Sequence, residues 1–453
     1  MTVDGRRPAI QGKKDLEASR LSYALEHMTH NKAYRYAVEA AGGDADGALL
    51  RMFHDRFIEY RRGWRGNARF AVENRLHDEY YARTGWGPLS LDIEVAAVCD
   101  LACPFCYRQA IATPDRIMSA ELFRRVMDQG AELGVSSVKF NWRGEPLLHP
   151  QLPTLIDDAK RRAVLETIIN TDAVTLTAGK SEALIDAGLD LMIYSFDGGT
   201  KETYERMRPG RFKTNHFENV YANIRRFAEI RACTGARLPR TKVQMVLTAD
   251  TFGEQEQFFD LFTDCVDDVS VKAYTERGGE LPELDVTTLA RVHAFLRAHD
   301  LPPTTAYWRD MRGAVYVGTG RLPCEQLYQR LTVTYDGRVS MCCYDWGVEY
   351  PIGYVDEAAF REGDADYEEA LTKSRTGARG FERLTLIRMP ARYVEPPRRV
   401  QTLREIWDGT ILNEARRVHL DRNLDAVPIC RKCMFKETYE WMRIPDAEMQ
   451  PTA

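Results

Sequence analysis

The chain has 453 residues, of which 44% are hydrophobic and 28% are charged. This composition supports two or three globular domains, or one large barrel with additional elements. The formal net charge of −5 excludes the basic footprint of a nucleic-acid-binding protein. The first ten residues lack an apolar signal sequence, and no apolar run reaches the length of a membrane span. We therefore expect a cytoplasmic protein without a membrane or nucleic-acid partner.

Residues 1–88 are predicted to form an N-terminal helical segment. Apolar residues recur at helical spacing in K-K-D-L-E-A-S-R-L-S-Y-A-L-E-H-M and again in A-L-L-R-M-F-H-D-R-F-I-E-Y-R-R. The A-G-G-D stretch at residues 41–44 interrupts the pattern and predicts a loop. Since the segment carries no recognisable chemical motif, we expect it to pack against the domain that follows.

Residues 89–300 alternate between short β-branched runs and amphipathic segments, which indicates a parallel sheet with right-handed crossovers. The predicted strands are Ser90–Val98, Ser136–Trp142, Glu166–Asn170, Leu189–Phe196, Lys242–Thr248 and Val269–Tyr274. The predicted helices include Ala120–Leu133, Gln151–Ala163, Asn215–Ala232, Glu254–Cys265 and residues 284–299. Six such units can form a partial (β/α) barrel or an open doubly wound sheet. In both architectures the functional residues lie at the carboxyl ends of the strands.

Residues 301–453 differ in pattern and are predicted to form a separate domain. L-T-V-T-Y-D-G-R-V-S-M-C-C predicts a β-hairpin that turns at Asp336-Gly337. Residues 345–400 are polar and lack periodicity, so we interpret them as a long irregular insertion. A helix is then expected from Thr402, with Glu405 completing a capping box.

Three cysteines follow the first predicted strand, in the stretch C-D-L-A-C-P-F-C-Y at residues 99–107. Cys99, Cys103 and Cys106 offer thiolates, which select zinc, copper(I) or iron–sulfur clusters. A structural zinc site is closed by four ligands, whereas three leave one corner of the metal open, as in catalytic sites. The alternatives are a zinc site completed from elsewhere or incidental buried cysteines.

The C-x3-C-x2-C spacing followed by the aromatic Tyr107 resembles the signature of the radical S-adenosylmethionine (SAM) superfamily. Three further segments resemble motifs of that superfamily: N-W-R-G-E-P at 141–146, I-I-N-T-D-A at 168–173 and Y-S-F-D-G at 194–198. One departure is Arg143, which stands where the family usually has a glycine. The resemblance implies SAM contacts from Tyr107, Trp142, Arg143, Gly144, Glu145, Pro146, Asn170, Thr171, Ser195 and Asp197.

The resemblance also implies a fold and a chemistry. Members of this superfamily form a partial (β/α)6 TIM-like barrel, which would occupy residues 89–300 here. Their three cysteines hold a [4Fe–4S] cluster whose fourth iron binds the amino and carboxylate groups of SAM. Reduction by an electron donor of the flavodoxin or ferredoxin type then releases a 5′-deoxyadenosyl radical, which abstracts a hydrogen from the substrate.

A second set of cysteines lies in the C-terminal part of the chain. Cys324, Cys342, Cys430 and Cys433 provide four thiolates, and the spacing C-x12-G-x4-C resembles the opening of SPASM and twitch auxiliary-cluster domains. A SPASM domain with two clusters carries seven cysteines, and no cysteine follows Cys433. We therefore expect one auxiliary [4Fe–4S] cluster, with a structural zinc site as the alternative.

The remaining candidates are acids and cysteines with roles in the reaction. Glu276 and Asp345 are candidate acid–base residues, and Glu94 on the first strand could also face the barrel interior. Cys343 could exchange into the auxiliary ligand set, or it could donate a hydrogen atom to a substrate radical, as an epimerase requires. Two further cysteines, Cys233 and Cys265, are predicted to be small buried hydrophobic residues.

Two substrate classes fit the resemblance. Peptide-modifying SPASM enzymes usually carry a winged-helix module with a β-hairpin, which the helical pattern of residues 1–88 does not favour. The length, the helical N-terminus and the single auxiliary cluster resemble the radical dehydratases of aminoglycoside biosynthesis of the apramycin type. These act on the cationic pseudodisaccharide paromamine together with an NADPH-dependent reductase. Epimerisation or dehydrogenation of an aminoglycoside remains an alternative, as does a non-catalytic metal scaffold.

Overall fold

A computed structural model describes residues 13–43, 47–109, 111, 113–273, 286–301, 307–309, 313–377, 394–431, 433, 435 and 438–449. The described residues form two compact units. The first unit contains those within 1–66, 88–104 and 115–274, and the second contains those within 67–87, 105–114 and 275–453. The predicted N-terminal segment is thus divided between the two units.

The helices are, in chain order, α1 (Lys13–Glu26), α2 (Lys32–Ala40), α3 (Gly47–Glu73), α4 (Tyr80–Thr84), α5 (Ala120–Glu132), α6 (Leu152–Arg161), α7 (Ala178–Ala187), α8 (Lys201–Met207), α9 (Phe217–Cys233), α10 (Gln255–Phe262), α11 (Val286–Ala298), α12 (Ala358–Arg361), α13 (Gly363–Gly377), α14 (Leu403–Trp407), α15 (Thr410–Leu420) and α16 (Pro428–Arg431). Among the described helices, none is both long enough and apolar enough to cross a bilayer.

The strands are, in chain order, β1 (Ser90–Ile93), β2 (Ser137–Lys139), β3 (Glu166–Thr171), β4 (Leu191–Ser195), β5 (Arg240–Leu247), β6 (Asp268–Ala273), β7 (Tyr307–Arg309), β8 (Val315–Arg321), β9 (Arg330–Val333), β10 (Arg338–Ser340), β11 (Gly353–Tyr354) and β12 (Tyr439–Arg443).

The first unit contains the parallel sheet that the alternating pattern predicts. Strands β1 to β6 pair in parallel in their order along the chain, with registers such as Ser90 opposite Ser137 and Ile168 opposite Leu191. A doubly wound sheet would reverse direction at a switch point. The sequential order is instead that of a (β/α) barrel wound in one direction, which decides between the two predicted architectures.

The first strand is shorter than predicted. It ends at Ile93, and the chain then leaves the sheet: Ala97 N donates a hydrogen bond to the carbonyl of Arg116, and Ala96 forms an isolated antiparallel bridge with Ile117. The predicted strand over residues 94–98 is therefore wrong. Its apolar side chains are buried in a loop, and a short apolar run does not distinguish that loop from a strand.

The described residues up to Gly66 belong to the first unit, as predicted for the N-terminal segment, whereas residues 67–87 belong to the second. Met28, Tyr34, Phe53 and Phe57 form a buried cluster with Leu165, which immediately precedes β3. This cluster covers the end of the sheet at which the strands begin. The opposite, carboxyl-terminal edge carries the cysteine loop.

The second unit contains the predicted hairpin of β9 and β10, which are antiparallel and turn at Gly337. Gly337 has φ +91°, and a Cβ there would lie 2.7 Å from the Cβ of Asp356, so the position requires glycine. Strand β11 extends the hairpin, and β12, β8 and β7 form a second antiparallel sheet.

Two predictions for the second unit need correction. The predicted irregular insertion contains β11, α12 and α13 within its described part, where Asp364 of α13 forms an ion pair with Arg338 at 2.6 Å. The long helix expected from Thr402 does have the predicted capping box. It is however divided at Asp408-Gly409 into α14 and α15, and glycine there weakens a continuous helix.

A buried ion pair stabilises the base of the first unit. Lys160 of α6 pairs with Asp190, and its ammonium group also donates to Asn31 Oδ1 at 3.2 Å. Thr167 N donates to the same carboxylate at 2.7 Å, and Asn31 caps α2. Burial lowers the pKa of Lys160 and raises the pKa of Asp190, so each group depends on the other to remain charged.

We expect Lys160→Met to destabilise the protein by about 3–5 kcal/mol, because it leaves the Asp190 carboxylate buried without its cation. The matched control is Arg161→Met on the same helix, which removes an exposed arginine paired with Asp157 and should shift the unfolding midpoint far less. The measurement is the midpoint of urea unfolding. Equal midpoints for the two variants would contradict the prediction.

Candidate active site

The first candidate site is built on the loop that follows β1. Cys99 and Cys103 lie on this loop in the first unit; Cys99 is half-buried and Cys103 is buried. Cys106 and Tyr107 follow in residues 105–114, which group with the second unit. The loop therefore begins at the carboxyl end of β1, where the sequence predicts catalytic residues.

A second segment, R-P-G-R at residues 208–211, holds the cysteine loop in place. Ala102 N donates to the carbonyl of Pro209 at 2.9 Å, and Arg211 N donates to the carbonyl of Asp100 at 2.7 Å. This segment carries none of the predicted site residues. The Pro-Gly pair directly after α8 is a turn signal that could have identified it.

Gly144 brings the turn after β2 into direct contact with the cysteine loop. A Cβ at this position would lie 2.3 Å from the carbonyl oxygen of Ala96 and 2.4 Å from that of Val98. The next residue, Glu145, donates its backbone N–H to the Val98 carbonyl at 2.9 Å. No residue other than glycine fits between the two backbones, so the predicted motif residue has a clear steric reason.

The Glu145 carboxylate organises the ends of neighbouring strands. It accepts hydrogen bonds from Leu147 N at 2.9 Å, Thr171 Oγ1 at 2.8 Å and Asp172 N at 2.9 Å. Burial and the nearby Asp100 raise its pKa. The motif glutamate thus joins the turn after β2 to the end of β3, and its oxygens are occupied by protein donors.

Arg143, the departure from the family pattern, forms a buried bidentate ion pair with Glu94. The Nε–Oε1 and Nη2–Oε2 distances are 2.5 and 2.6 Å, and both side chains are fully buried. The guanidinium lies 4.9 Å from the ring centroid of Trp142. Sequence analysis considered Glu94 as an inward-facing acid; the structure gives it an arginine partner at the end of β1.

At the end of β4, Asp197 is also engaged by the protein. Its Oδ2 accepts from Arg208 Nε at 2.8 Å and Nη2 at 2.5 Å, and its Oδ1 accepts from Val246 N at 2.6 Å. Ser195 is half-buried as the last residue of the strand. Asp197 therefore positions Arg208, the first residue of the segment that holds the cysteine loop.

Three buried acceptors around the cysteine loop lack a donor. Among the described residues, Asp100 Oδ1, Asn170 Oδ1 and Asp172 Oδ2 have no hydrogen-bond partner. The Cys99 sulfur and one oxygen from each of the two aspartates lie within 4.8 Å of one another. Burial, then Asp172, raises the pKa of the Cys99 thiol. Burial, and then the nearby Glu145 and Asp100, raise the pKa of Asp172 well above its usual range. A proton or a bound cation would therefore stabilise this group of acceptors.

The other predicted contacts are placed as follows. Pro146 is buried at the start of a short 3-10 turn, Pro146–Leu148, and Thr171 is buried at the end of β3. Trp142 is buried beside Arg143, and Tyr107 is buried within the second unit. The structure thus brings the four motif segments of the first unit to one edge of the sheet.

The second candidate site lies in the second unit, where five thiols form one group. Burial raises the pKa of Cys342, and the nearby thiols of Cys343, Cys430 and Cys433 raise it further. Burial and Cys433 likewise raise the pKa of Cys324 to about 12. The four predicted ligands are therefore neighbours, and Cys343 is a fifth member of the group.

Of the two candidate acid–base residues, only Asp345 lies within the described part of the chain. Asp345 is buried and accepts hydrogen bonds from Glu349 N at 3.0 Å, Tyr350 N at 3.1 Å and Ser340 Oγ at 3.3 Å. Burial raises its pKa to about 7. Glu276 lies outside the described residues.

The remaining three cysteines differ in their exposure and contacts. Cys343 Sγ lies 3.8 Å from Gln326 Oε1. Cys265 is half-buried, but Cys233 is exposed at the end of α9, so its predicted burial is wrong. The helical pattern placed Cys233 correctly on a helix, but it did not resolve the last turn, where the helix reaches solvent.

Comparison with known families agrees with both candidate sites. Residues 93–247 match the model of the radical SAM superfamily, and residues 324–363 match that of the SPASM iron–sulfur cluster-binding domain. The first match extends from the end of β1 to the end of β5, and the second begins at Cys324. The chain carries a radical SAM domain and a SPASM domain.

Individual relatives are more distant. A probable GTP 3′,8-cyclase of Methanothermobacter marburgensis is 26% identical over 272 residues, which is 56% of this chain and 84% of that protein. The PqqA peptide cyclase of Gluconobacter oxydans is 36% identical over 121 residues, 26% of this chain and only 33% of that protein. The structure of BtrN with AdoMet and 2-DOIA has 14% identity and a TM-score of 0.41, covering 79% of this chain and 99% of that one.

The two domains imply the cofactors of this enzyme, SAM and [4Fe–4S] clusters. The residues of the first site fit them. The thiolates at the loop suit iron, and the unpartnered acceptors of Asp100, Asn170 and Asp172 suit the ammonium group of SAM. In the second unit, the thiols of the second cysteine set suit the iron of the SPASM cluster.

We expect Gly144→Ala to lower the rate of SAM cleavage by about 10²-fold or more, since the added methyl group separates the two backbones at the radical SAM site. Gly179→Ala on α7 is the matched control, because a Cβ there meets nothing within 4 Å. Cleavage is measured as 5′-deoxyadenosine formed per chain by the reduced, reconstituted protein. A Gly144→Ala rate within tenfold of the control would contradict the steric argument.

Proposed function

We propose that this radical SAM enzyme removes a hydroxyl group, as water, from an amine-bearing sugar of the aminoglycoside type. In this proposal Cys99, Cys103 and Cys106 hold the SAM-binding cluster, and Cys324, Cys342, Cys430 and Cys433 hold one auxiliary cluster. The observation that carries the SAM-dependent part of the proposal is the group of unpartnered buried acceptors beside Cys99, at the carboxyl ends of the strands. The sugar substrate rests on the resemblance of the chain and on the two observations given below.

The SAM contacts divide into two kinds. Asp100 and Asp172 accept from the ammonium group of SAM, joined by Asn170, and Ser195 and Thr171 line the same ends of the strands. Gly144 and Glu145 act indirectly, since the glycine allows the close approach and the carboxylate is engaged by protein donors. Arg143 and Asp197 are likewise held in ion pairs and position the surrounding loops.

When bound, the cluster and SAM together supply the 5′-deoxyadenosyl radical that abstracts a hydrogen atom from a hydroxyl-bearing carbon. The protein then has to deprotonate that hydroxyl group and protonate the neighbouring hydroxyl group, which leaves as water. The product radical takes up one electron from a flavodoxin- or ferredoxin-type donor and one proton. An NADPH-dependent reductase is the proposed partner that completes the deoxygenation.

Glu276 and Asp345 are the two candidate acid–base residues of this proposal, and the structure describes only Asp345. The Asp345 carboxylate is enclosed by its own turn and accepts three protein hydrogen bonds, so it stabilises the loop after the hairpin. Cys343 lies within the auxiliary thiol group, which supports an accessory position at that cluster over a role as hydrogen-atom donor.

Two observations support a sugar as the substrate. The described residues of 13–88 form helices α1 to α4 without a β-hairpin, unlike the winged-helix modules of peptide-modifying relatives. The second cysteine set is sufficient for one auxiliary cluster. A peptide substrate is the second candidate, and the similarity of 121 residues to a PqqA peptide cyclase favours it.

Metal content tests the proposed clusters. Anaerobic reconstitution should give about eight irons per chain, and replacing Cys99, Cys103 and Cys106 by alanine should leave about four and abolish SAM cleavage. The control is Cys233→Ala, which removes an exposed thiol and should leave both values unchanged. Stoichiometric zinc without SAM cleavage would contradict the proposal.

Isotope transfer tests the substrate. We expect deuterium from paromamine labelled at the reacting carbon to appear in 5′-deoxyadenosine, together with a product that has lost one molecule of water. Mass spectrometry of both products measures this. Transfer without water loss would instead support epimerisation or dehydrogenation, and transfer from a peptide but from no aminoglycoside would reject the sugar assignment.

A further inference from the structure

His419 contacts two cysteines of the second candidate site. It is fully buried on α15. Cys324 N donates a hydrogen bond to His419 Nδ1 at 3.1 Å, and His419 Nε2 lies 3.3 Å from Cys430 Sγ. The imidazole ring thus bridges two cysteines that are 106 positions apart in the sequence.

The two contacts determine which nitrogen carries the proton. A backbone N–H can only donate, so the Nδ1 that faces Cys324 has to present its lone pair. The proton of the ring therefore lies on Nε2, which faces the sulfur of Cys430. A deprotonated Cys430 sulfur can only accept a hydrogen bond. The Nε2–H of His419 is therefore the donor and the Cys430 thiolate the acceptor.

We propose that His419 is a positioning residue of the auxiliary cluster, and that its Nε2–H donates to the Cys430 thiolate and raises the reduction potential of that cluster. The proposal rests on the ligand set proposed above. Hydrogen bonds to cluster sulfurs stabilise the additional negative charge of the reduced state, which makes reduction more favourable.

Further hydrogen-bond donors lie around Cys430 and Cys433. Arg321 Nη2 donates to the backbone carbonyl of Cys430 at 3.1 Å, and the guanidinium lies 4.3 Å from the ring centroid of Tyr439. Phe435 N donates to Cys433 Sγ at 3.4 Å. Donors thus approach both thiolates of the C-x2-C pair, and His419 is the side-chain donor among them.

Two substitutions separate the functions of the ring. His419→Gln can place an amide N–H near the former Nε2 and retain the donor to Cys430. His419→Asn can place its carbonyl oxygen near the former Nδ1, which retains the acceptor for Cys324 but removes the donor. His299→Asn is the matched control, because it alters an exposed histidine paired with Glu448 in the same unit.

The potential is measured in the full chain with Cys99, Cys103 and Cys106 replaced by alanine, so that only the auxiliary cluster contributes. Redox titration followed by electron paramagnetic resonance gives the midpoint. We expect His419→Asn to lower the equilibrium constant for one-electron reduction roughly tenfold, about 59 mV. For His419→Gln and His299→Asn, the equilibrium constant for one-electron reduction should stay within about threefold of the parent value.

Each other outcome has a defined meaning. If both His419 variants retain four irons and keep the potential of the parent, the donor role is wrong. If both lose their iron, the ring maintains the fold of the site, and the proposal about the potential is also wrong. If the parent with the three alanines binds no cluster at all, the proposed ligand set fails first, and this inference fails with it.

Discussion

The radical SAM site depends on one close approach between two backbones. Gly144 lies so near the carbonyl groups of Ala96 and Val98 that a single additional carbon would overlap with them. The cysteine loop and the turn after β2 therefore have one relative position. Glu145, the next residue, extends this constraint to the end of β3 through Thr171. The ends of three parallel strands are thus joined by one contact and one carboxylate.

Buried charge at this edge of the sheet is distributed in two ways. Glu94 and Asp197 each have a buried arginine partner, Arg143 and Arg208, at hydrogen-bonding distance. In contrast, among the described residues neither lysine nor arginine forms an ion pair with Asp100 or Asp172. A buried carboxylate oxygen needs a cation or a hydrogen-bond donor. The first pairs therefore belong to the architecture of the protein, whereas Asp100 Oδ1 and Asp172 Oδ2, which have neither among the described residues, are suited to a cationic ligand.

The motif residues could be predicted from the sequence, but their individual roles could not. The predicted G-E-P turn and the hairpin at Gly337 lie where the patterns indicate, and β3 and β4 end within one residue of their predicted ends, at Thr171 and Ser195. Each of these features depends on local spacing. The ion pair of Arg143 with Glu94 joins residues 49 positions apart, and the bridge of His419 joins segments still further apart. Such contacts are formed by packing, on which local periodicity carries no information.

The sequence by itself determined the alternation of strands and helices, the position of the three cysteines after β1 and the presence of a second cysteine set. These follow from hydrophobic period and residue spacing, which are local properties of the chain. Only the tertiary structure decided that the strands follow one another in barrel order, that residues 94–98 leave the sheet, and which acidic groups have partners. The strand order, the course of residues 94–98 and the partners of the acidic groups depend on contacts between segments that are distant in the sequence. Packing of the whole chain determines those contacts.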